Sequence, residues 1–197
     1  MKEVFALMAV LLLLFGSIGQ APAGSPQNQR AVKVIYDVAS NAAGTQTSIK
    51  MAQYLNGSKR MRIDASAGGI EARSYLLDDL FYSCNNQGAW ACTKIAISKD
   101  NYGNAADNGQ DYALVEDGTM SIGGVVVKCF QVTGRNIQYY RSCNLPEGAP
   151  LYVRMKSTTE GKTVTTEMKA TSYSTSVQDS DFVLPAAPTE FPSFKVV

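Results

Sequence analysis

The sequence predicts an all-β domain with minor α content, built as an antiparallel sheet and stapled by two hairpin disulfides. Three observations predict it. Short runs rich in valine, threonine, isoleucine and tyrosine alternate apolar with polar residues, the period of a strand with one buried face. Turn residues separate the runs. Four cysteines fall into two arrangements, each symmetric about its own turn.

The elements follow in order. Val32, Val34, Tyr36 and Val38 share one face of a first strand. Thr47, Ile49 and Met51 do the same in a second, which ends at Leu55. Asn56-Gly57 comes next, the strongest two-residue hairpin signal. Met61 and Ile63 lie on the returning strand, with Arg60, Arg62 and Asp64 on its other face. The short basic cluster Lys59-Arg60-Met61-Arg62 therefore reads as a solvated strand surface. After Gly68-Gly69, Ile70, Ala72, Ser74 and Leu76 alternate against Glu71, Arg73 and Tyr75. Asp78-Asp79 makes a turn, and Leu80 to Cys84 runs back. Those two adjacent carboxylates do not read as a catalytic pair, because neighbouring strand residues point apart and this pair sits at a turn.

Cys84 and Cys92 flank a reversal at Gln87 to Ala89, and Cys129 and Cys143 flank one at Arg135 to Ile137. Each reversal brings its two cysteines opposite each other on neighbouring strands. The expected bridges are Cys84–Cys92 and Cys129–Cys143, which would fix hairpin register. Four cysteines permit three connectivities, and spacing alone leaves the other two open. A zinc site is the rival reading. The chain has no CxxC pair and no histidine, so the expectation is no metal and no cofactor.

Ser98 to Met120 breaks the rhythm. It is polar, contains Gly103, Gly109 and Gly118, and reads as a long surface excursion with at most one short helix. Strands resume at Val125 to Val132, Ile137 to Cys143, Leu151 to Thr158 and Val164 to Tyr173, with a hairpin tip at Gly161-Lys162. The domain closes at Asp179 to Pro185, and the chain beyond is expected to trail off.

The N-terminus sets the address. Lys2 precedes an apolar run from Val4 to Ile18, and Ala21-Pro22-Ala23 follows. That order reads as a secretory signal peptide over 1–23. A retained N-terminal membrane anchor is the alternative, although the run is short for a bilayer span. Either way the domain is expected outside the cytoplasm: secreted, periplasmic or on the outer face of the membrane, where thiols pair. The divisions are then a linker at 24–31, a β domain at 32–185 and a tail at 186–197.

The chemistry is bounded by what is missing. Without histidine, a Ser-His-Asp or Cys-His mechanism has no imidazole base. No phosphate or dinucleotide loop occurs. The formal net charge is +1, and a nucleic-acid partner is not expected from so weak a basic excess. The expectation is no enzyme. A carboxylate-pair hydrolase and a lysine-based nucleophile are the catalytic readings left open.

Several segments together resemble the LolA-like lipoprotein carriers and related envelope domains of unknown function. Tyr36 in the first strand is followed by Tyr54-Leu55-Asn56-Gly57-Ser58-Lys59-Arg60-Met61-Arg62-Ile63-Asp64, similar to their strand-turn-Lys-x-Arg-x-Asp hairpin. Tyr75-Leu76-Leu77-Asp78-Asp79-Leu80-Phe81-Tyr82 is similar to their next hairpin, and Asp179 to Pro185 to their ending. The resemblance covers about Val32 to Pro185. It implies an antiparallel curved sheet forming an unclosed half-barrel, here of roughly 9–11 strands by count of the runs, with lipid held on an apolar concave face. Val34, Tyr36, Ile49, Met51, Ile63 and Leu76 would then line the ligand cavity, or else serve as ordinary core. The paired cysteines are not part of the carrier pattern.

The function expected is an extracytoplasmic, non-catalytic binding protein for lipid or another apolar ligand, with membrane association and a protein partner left open. The alternative is a secreted structural or adhesion β-sandwich without a ligand cavity. Asn56-Gly57-Ser58 also fits the N-glycosylation acceptor pattern at Asn56, though the hairpin turn explains Asn-Gly by itself.

Overall fold

The computed structural model describes residues 31–190 except 43, 58, 79, 97–112, 135–136 and 160–161. The expected leader and most of the linker therefore lie outside the described residues. No helix among the described residues is long and apolar enough to cross a membrane.

All described strands belong to one sheet. They are β1 (Val32–Ala42), β2 (Thr45–Asn56), β3 (Arg60–Ala67), β4 (Ile70–Leu77), β5 (Leu80–Asn86), β6 (Trp90–Ala96), β7 (Ala113–Ile122), β8 (Val125–Gly134), β9 (Ile137–Asn144), β10 (Pro150–Thr159), β11 (Lys162–Ser174) and β12 (Pro188–Glu190). Their spatial order is β12-β6-β5-β4-β3-β2-β1-β11-β10-β9-β8-β7. Two meanders, β1–β6 and β7–β11, join where β1 pairs antiparallel with β11. The sheet does not close, which is the half-barrel architecture the resemblance implies. A two-sheet sandwich is not what the described strands build.

Local chemistry explains the hairpins. Gly68 and Gly69 both take positive φ, 57° and 80°, as a tight turn between right-twisted strands requires. Asp78 is left-handed at φ 56°, and its N–H donates to Lys59 O at 2.7 Å. It is a turn residue, as its position predicts. Register irregularities at Ile35/Tyr36, Pro150/Tyr152, Lys156/Ser157, Glu116/Thr119 and Val132/Gly134 bend and twist the strands locally.

Three expectations need correction. The second part of the Ser98–Met120 excursion is not loop but β7. Its apolar residues Leu114 and Val115 are adjacent and a bulge falls between Glu116 and Thr119, so no period of two is visible. Arg141 Nε donates to Asp117 Oδ2 across that bulge at 2.6 Å. The chain beyond Pro185 does not simply trail off: Pro188–Glu190 pairs parallel with β6. These two strands raise the number from the expected 9–11 to 12. The one short helix allowed in the Ser98–Met120 excursion is untested where that excursion covers 98–112, which lies outside the described residues; among the described residues the helical turn is 3₁₀, at Asp179–Phe182. Lastly, the face bearing Arg60 and Arg62 is not an open solvated surface, as described below.

Both expected disulfides are formed, Cys84–Cys92 and Cys129–Cys143, each joining directly opposed strand residues. Such bonds belong to an oxidising, extracytoplasmic setting. All four cysteines are buried. Replacing either pair by alanine is expected to lower unfolding free energy by about 2–3 kcal/mol, from the restored entropy of the unfolded loop. Urea titration of each variant beside the oxidised parent checks this.

Candidate functional site

The register places the sequence-predicted cavity residues together. Val34 lies opposite Gln53, which lies opposite Ile63; Tyr36 lies opposite Met51, and Val38 opposite Ile49. These side chains share the inner face of β1–β3. Met168 and Ala170 of β11 and Val153 of β10 continue it. Val34, Tyr36, Ile49, Met51 and Ile63 are 0–6% exposed and belong to the main apolar cluster. Leu76 sits opposite Met61 on β4 and is half-buried against that cluster. In this conformation the five buried residues are packed core, so a ligand reaching them requires the face to open.

Two buried inner-face positions of β2–β4 are polar: Gln53, and Ser74, which lies opposite Ile63 and is 4% exposed. Gln53 is 2% exposed and occupies the place the alternation of Thr47, Ile49, Met51 and Leu55 reserves for an apolar side chain. Tyr36 Oη donates to its Oε1 at 2.9 Å. Its Nε2 donates to Met61 Sδ at 3.7 Å. The sequence shows this break in the apolar pattern, and the alternation alone does not say whether the carboxamide is buried.

The opposite face is built differently. Arg62 is 8% exposed, though its alternation with Met61 and Ile63 marks it as outward. The C-terminal segment covers it. Arg62 Nη1 donates to Asp181 O at 2.7 Å, and the guanidinium grips Asp64 through Nε and Nη2 at 2.6 and 2.5 Å. It also lies 4.7 Å from the Tyr54 ring and 5.7 Å from that of Tyr75. Burial by itself would lower its pKa, but the Asp64 carboxylate more than reverses that, so the net direction is up. Arg60 bonds Asp179 at 2.5 Å and stacks on Phe182 at 4.5 Å. Tyr75 Oη donates to Val183 O, and Thr189 Oγ1 to Cys92 O. A second apolar cluster lies here: Tyr75, Cys84, Cys92 and Trp90 of the sheet pack against Leu184 and Ala186 of this C-terminal strap. Asn56, the glycosylation candidate, is half-buried at the end of β2 opposite Arg60; Ser58 of that motif lies outside the described residues.

No group of three or more histidine, cysteine, aspartate or glutamate residues among the described residues is placed to hold a metal ion. Chemically the arrangement offers an apolar inner wall with one carboxamide-phenol pair, and a charged outer face locked by its own C-terminal segment.

This construction defines a class: proteins built on one open antiparallel sheet, the unclosed half-barrel, with an apolar inner face. MucB has a similar crystal structure, with a TM-score of 0.51 at 14% identity over 80% of this chain and 58% of that chain. MucB in complex with MucA(peri) gives 0.50 at 13% identity, over 80% and 55%. The chain thus spans little more than half the length of those MucB chains. A LolA superfamily protein from Nitrosomonas europaea gives 0.43 at 10% identity, over 80% and 91%. The likeness to MucB shows a shared fold. No family model matches the chain, and no curated protein does.

Two outcomes are expected. Arg62→Ala leaves Asp64 without its main partner and frees the strap, costing about 2–4 kcal/mol; Arg62→Lys recovers only part, because an ammonium cannot make the forked contact. Denaturant midpoints of both variants test this. Burial also pushes the Tyr36 phenol well above its usual range, and raises Tyr75 and Tyr152. The unfolded chain ionises its tyrosines near about pH 10 while the folded chain holds their protons, so stability is intact below that pH and falls above it. Thermal midpoints from neutral to alkaline pH are expected to fall less steeply in Tyr36→Phe.

Proposed function

We propose that this protein is an extracytoplasmic, non-catalytic binding protein that takes a lipid or another apolar ligand against the inner face of its open sheet. The reading rests on one observation: an unclosed sheet whose inner face is a continuous apolar surface from β3 through β1 to β10. A half-barrel offers what ligand sites need, a concave apolar wall with few polar groups. The strap supports the reading from the other side. It occupies the outer face with Arg60, Arg62 and Tyr75 contacts, so a ligand on the inner face would not compete with the strap.

Two features of the chemistry support the non-catalytic part of the reading. The chain holds no histidine, and the described carboxylates Asp37, Asp64, Asp117 and Asp179 are engaged in ion pairs with Lys50, Arg62, Arg141 and Arg60. The MucB structure with MucA(peri) makes a protein partner a natural second element of such a binding role.

The test is mass spectrometry on a solvent extract of the natively exported full chain. A stoichiometric co-purified lipid is expected, together with uptake of the apolar fluorophore N-phenyl-1-naphthylamine by the extracted protein. An empty extract with no uptake of the fluorophore overturns the reading.

A further inference from the structure

The two disulfides are covered in different ways. Cys84 lies opposite Arg73, which lies opposite Asp64, so the Cys84–Cys92 bond sits on the outer face. On a bare sheet that face would meet water, yet the two cysteines are 1% and 3% exposed. The strap is part of their cover. Leu184 and Ala186 pack on the cluster that holds both cysteines and Trp90. Farther along, Pro188 pairs with Cys92 itself, and Thr189 Oγ1 donates to the Cys92 carbonyl at 3.2 Å. Cys129 and Cys143 belong instead to the main apolar cluster, which includes no strap residue among the described residues.

Beyond the buried Phe182, the hold of the strap on the sheet is slight. β12 is three residues long with all three exposed, and Pro188 brings no N–H to the ladder. The ion pair at its end, Lys94 with Glu190 at 3.7 Å, has an exposed carboxylate, and such pairs contribute little. What remains is the packing of Leu184 and Ala186 over the disulfide and the bonds to Cys92. The edge strand β6 is held by β5 on one side and β12 on the other, and Cys84–Cys92 ties β6 to β5 at the position where β12 docks. Two thiols also need more room than a bonded pair of sulfurs, in a space that Leu184 and Ala186 close. Reduction therefore opposes docking twice, by loosening β6 and by crowding the strap.

We propose that the Cys84–Cys92 bond and the C-terminal strap form a redox-set latch: the bond holds the strand on which the strap docks, and the docked strap holds the bond oxidised. A dithiol reductant opens it. One thiolate of the reductant attacks a cysteine sulfur and the other cysteine leaves. The second thiol of the reductant then displaces the first cysteine and closes a cyclic disulfide, so two electrons and two protons pass to Cys84 and Cys92. The segment 184–190 leaves the sheet and uncovers Trp90, Lys94 and the β6 edge. The coupling is reciprocal: loosening the strap favours reduction by the same factor by which reduction loosens the strap.

The experiment uses the full chain. Titration in mixtures of reduced and oxidised dithiothreitol, quenched by alkylation and read by peptide mass, gives the reduction equilibrium of each bond. Leu184→Asp is expected to shift that of Cys84–Cys92 about tenfold toward the thiols, within the usual range of coupling between two sites, and to leave Cys129–Cys143 in place. Thr189→Val, which deletes the hydroxyl on the Cys92 carbonyl, shifts it the same way by less. Deuterium exchange of the amides in 184–190 reads the reverse direction. Cys84→Ala/Cys92→Ala is expected to exchange there about tenfold faster than the parent, because exchange tracks local opening. Cys129→Ala/Cys143→Ala keeps the exchange of the parent in that segment, which separates release of the strap from a general loss of stability. If neither strap variant moves the Cys84–Cys92 equilibrium, or if the two alanine variants exchange alike over 184–190, the latch is overturned.

Discussion

The pairing of β1 with β11 is the contact on which the molecule depends. Each other antiparallel pair joins strands that are neighbours in sequence, whereas this one brings Val32–Ala42 against Lys162–Ser174 across most of the domain. Without it the chain is two separate meanders, each with an apolar face and no common core. Closing so long a loop costs entropy that grows only slowly with its length. Burial offsets it. Val34, Tyr36 and Val38 meet Met51 and Ile49 on one side and Ala170 and Met168 on the other, and a fully buried side chain of this size contributes about 1.5–3 kcal/mol.

The sheet then solves two different problems on its two faces. The inner face is mainly apolar, with the Tyr36–Gln53 pair and Ser74 as buried polar groups on β1–β4. The outer face of β3–β6 carries Arg60, Arg62, Arg73 and Lys94, and the C-terminal segment brings Asp179, the Asp181 carbonyl and Glu190 to three of them. Arg73 instead lies beside Asp64 and over the Trp90 ring at 4.4 Å. Guanidinium groups suit such a site because they stack on rings and fork onto carboxylates at once. The strap also supplies β12 to the β6 edge, which shortens the row of unpaired backbone groups there. At the other edge β7 carries a bulge pinned by Arg141 and Asp117, a known way of spoiling an edge for unwanted pairing.

Much of this was legible residue by residue. The period of two in β1–β6 assigned Val34, Tyr36, Ile49, Met51 and Ile63 to one face, and the register confirms that grouping. The symmetry of the cysteines about their turns gave both disulfides. β7 was not legible, because Leu114 and Val115 are adjacent and its bulge shifts the alternation partway along. β12 was not legible either, since three residues with two-sided exposure carry no pattern. Arg62 was assigned to water because alternation tells which face a residue takes and nothing of what covers that face. Gln53 is the converse case: its parity says inner face and its chemistry says outer, and only the structure shows that parity wins.

The sequence by itself determined the local half of this protein: strand faces, tight turns, hairpin register and disulfide partners. These depend on backbone sterics and on contacts between residues close in the chain, which a period of two and a Gly-Gly or Asn-Gly pair record directly. Tertiary structure decided the rest. It set β1 against β11, laid the C-terminal strap over Arg60 and Arg62, and sealed Gln53 beside Tyr36 within an apolar wall. The first two join residues more than a hundred positions apart. No local pattern specifies such a contact, because it is selected by the total burial and charge pairing of the assembled sheet.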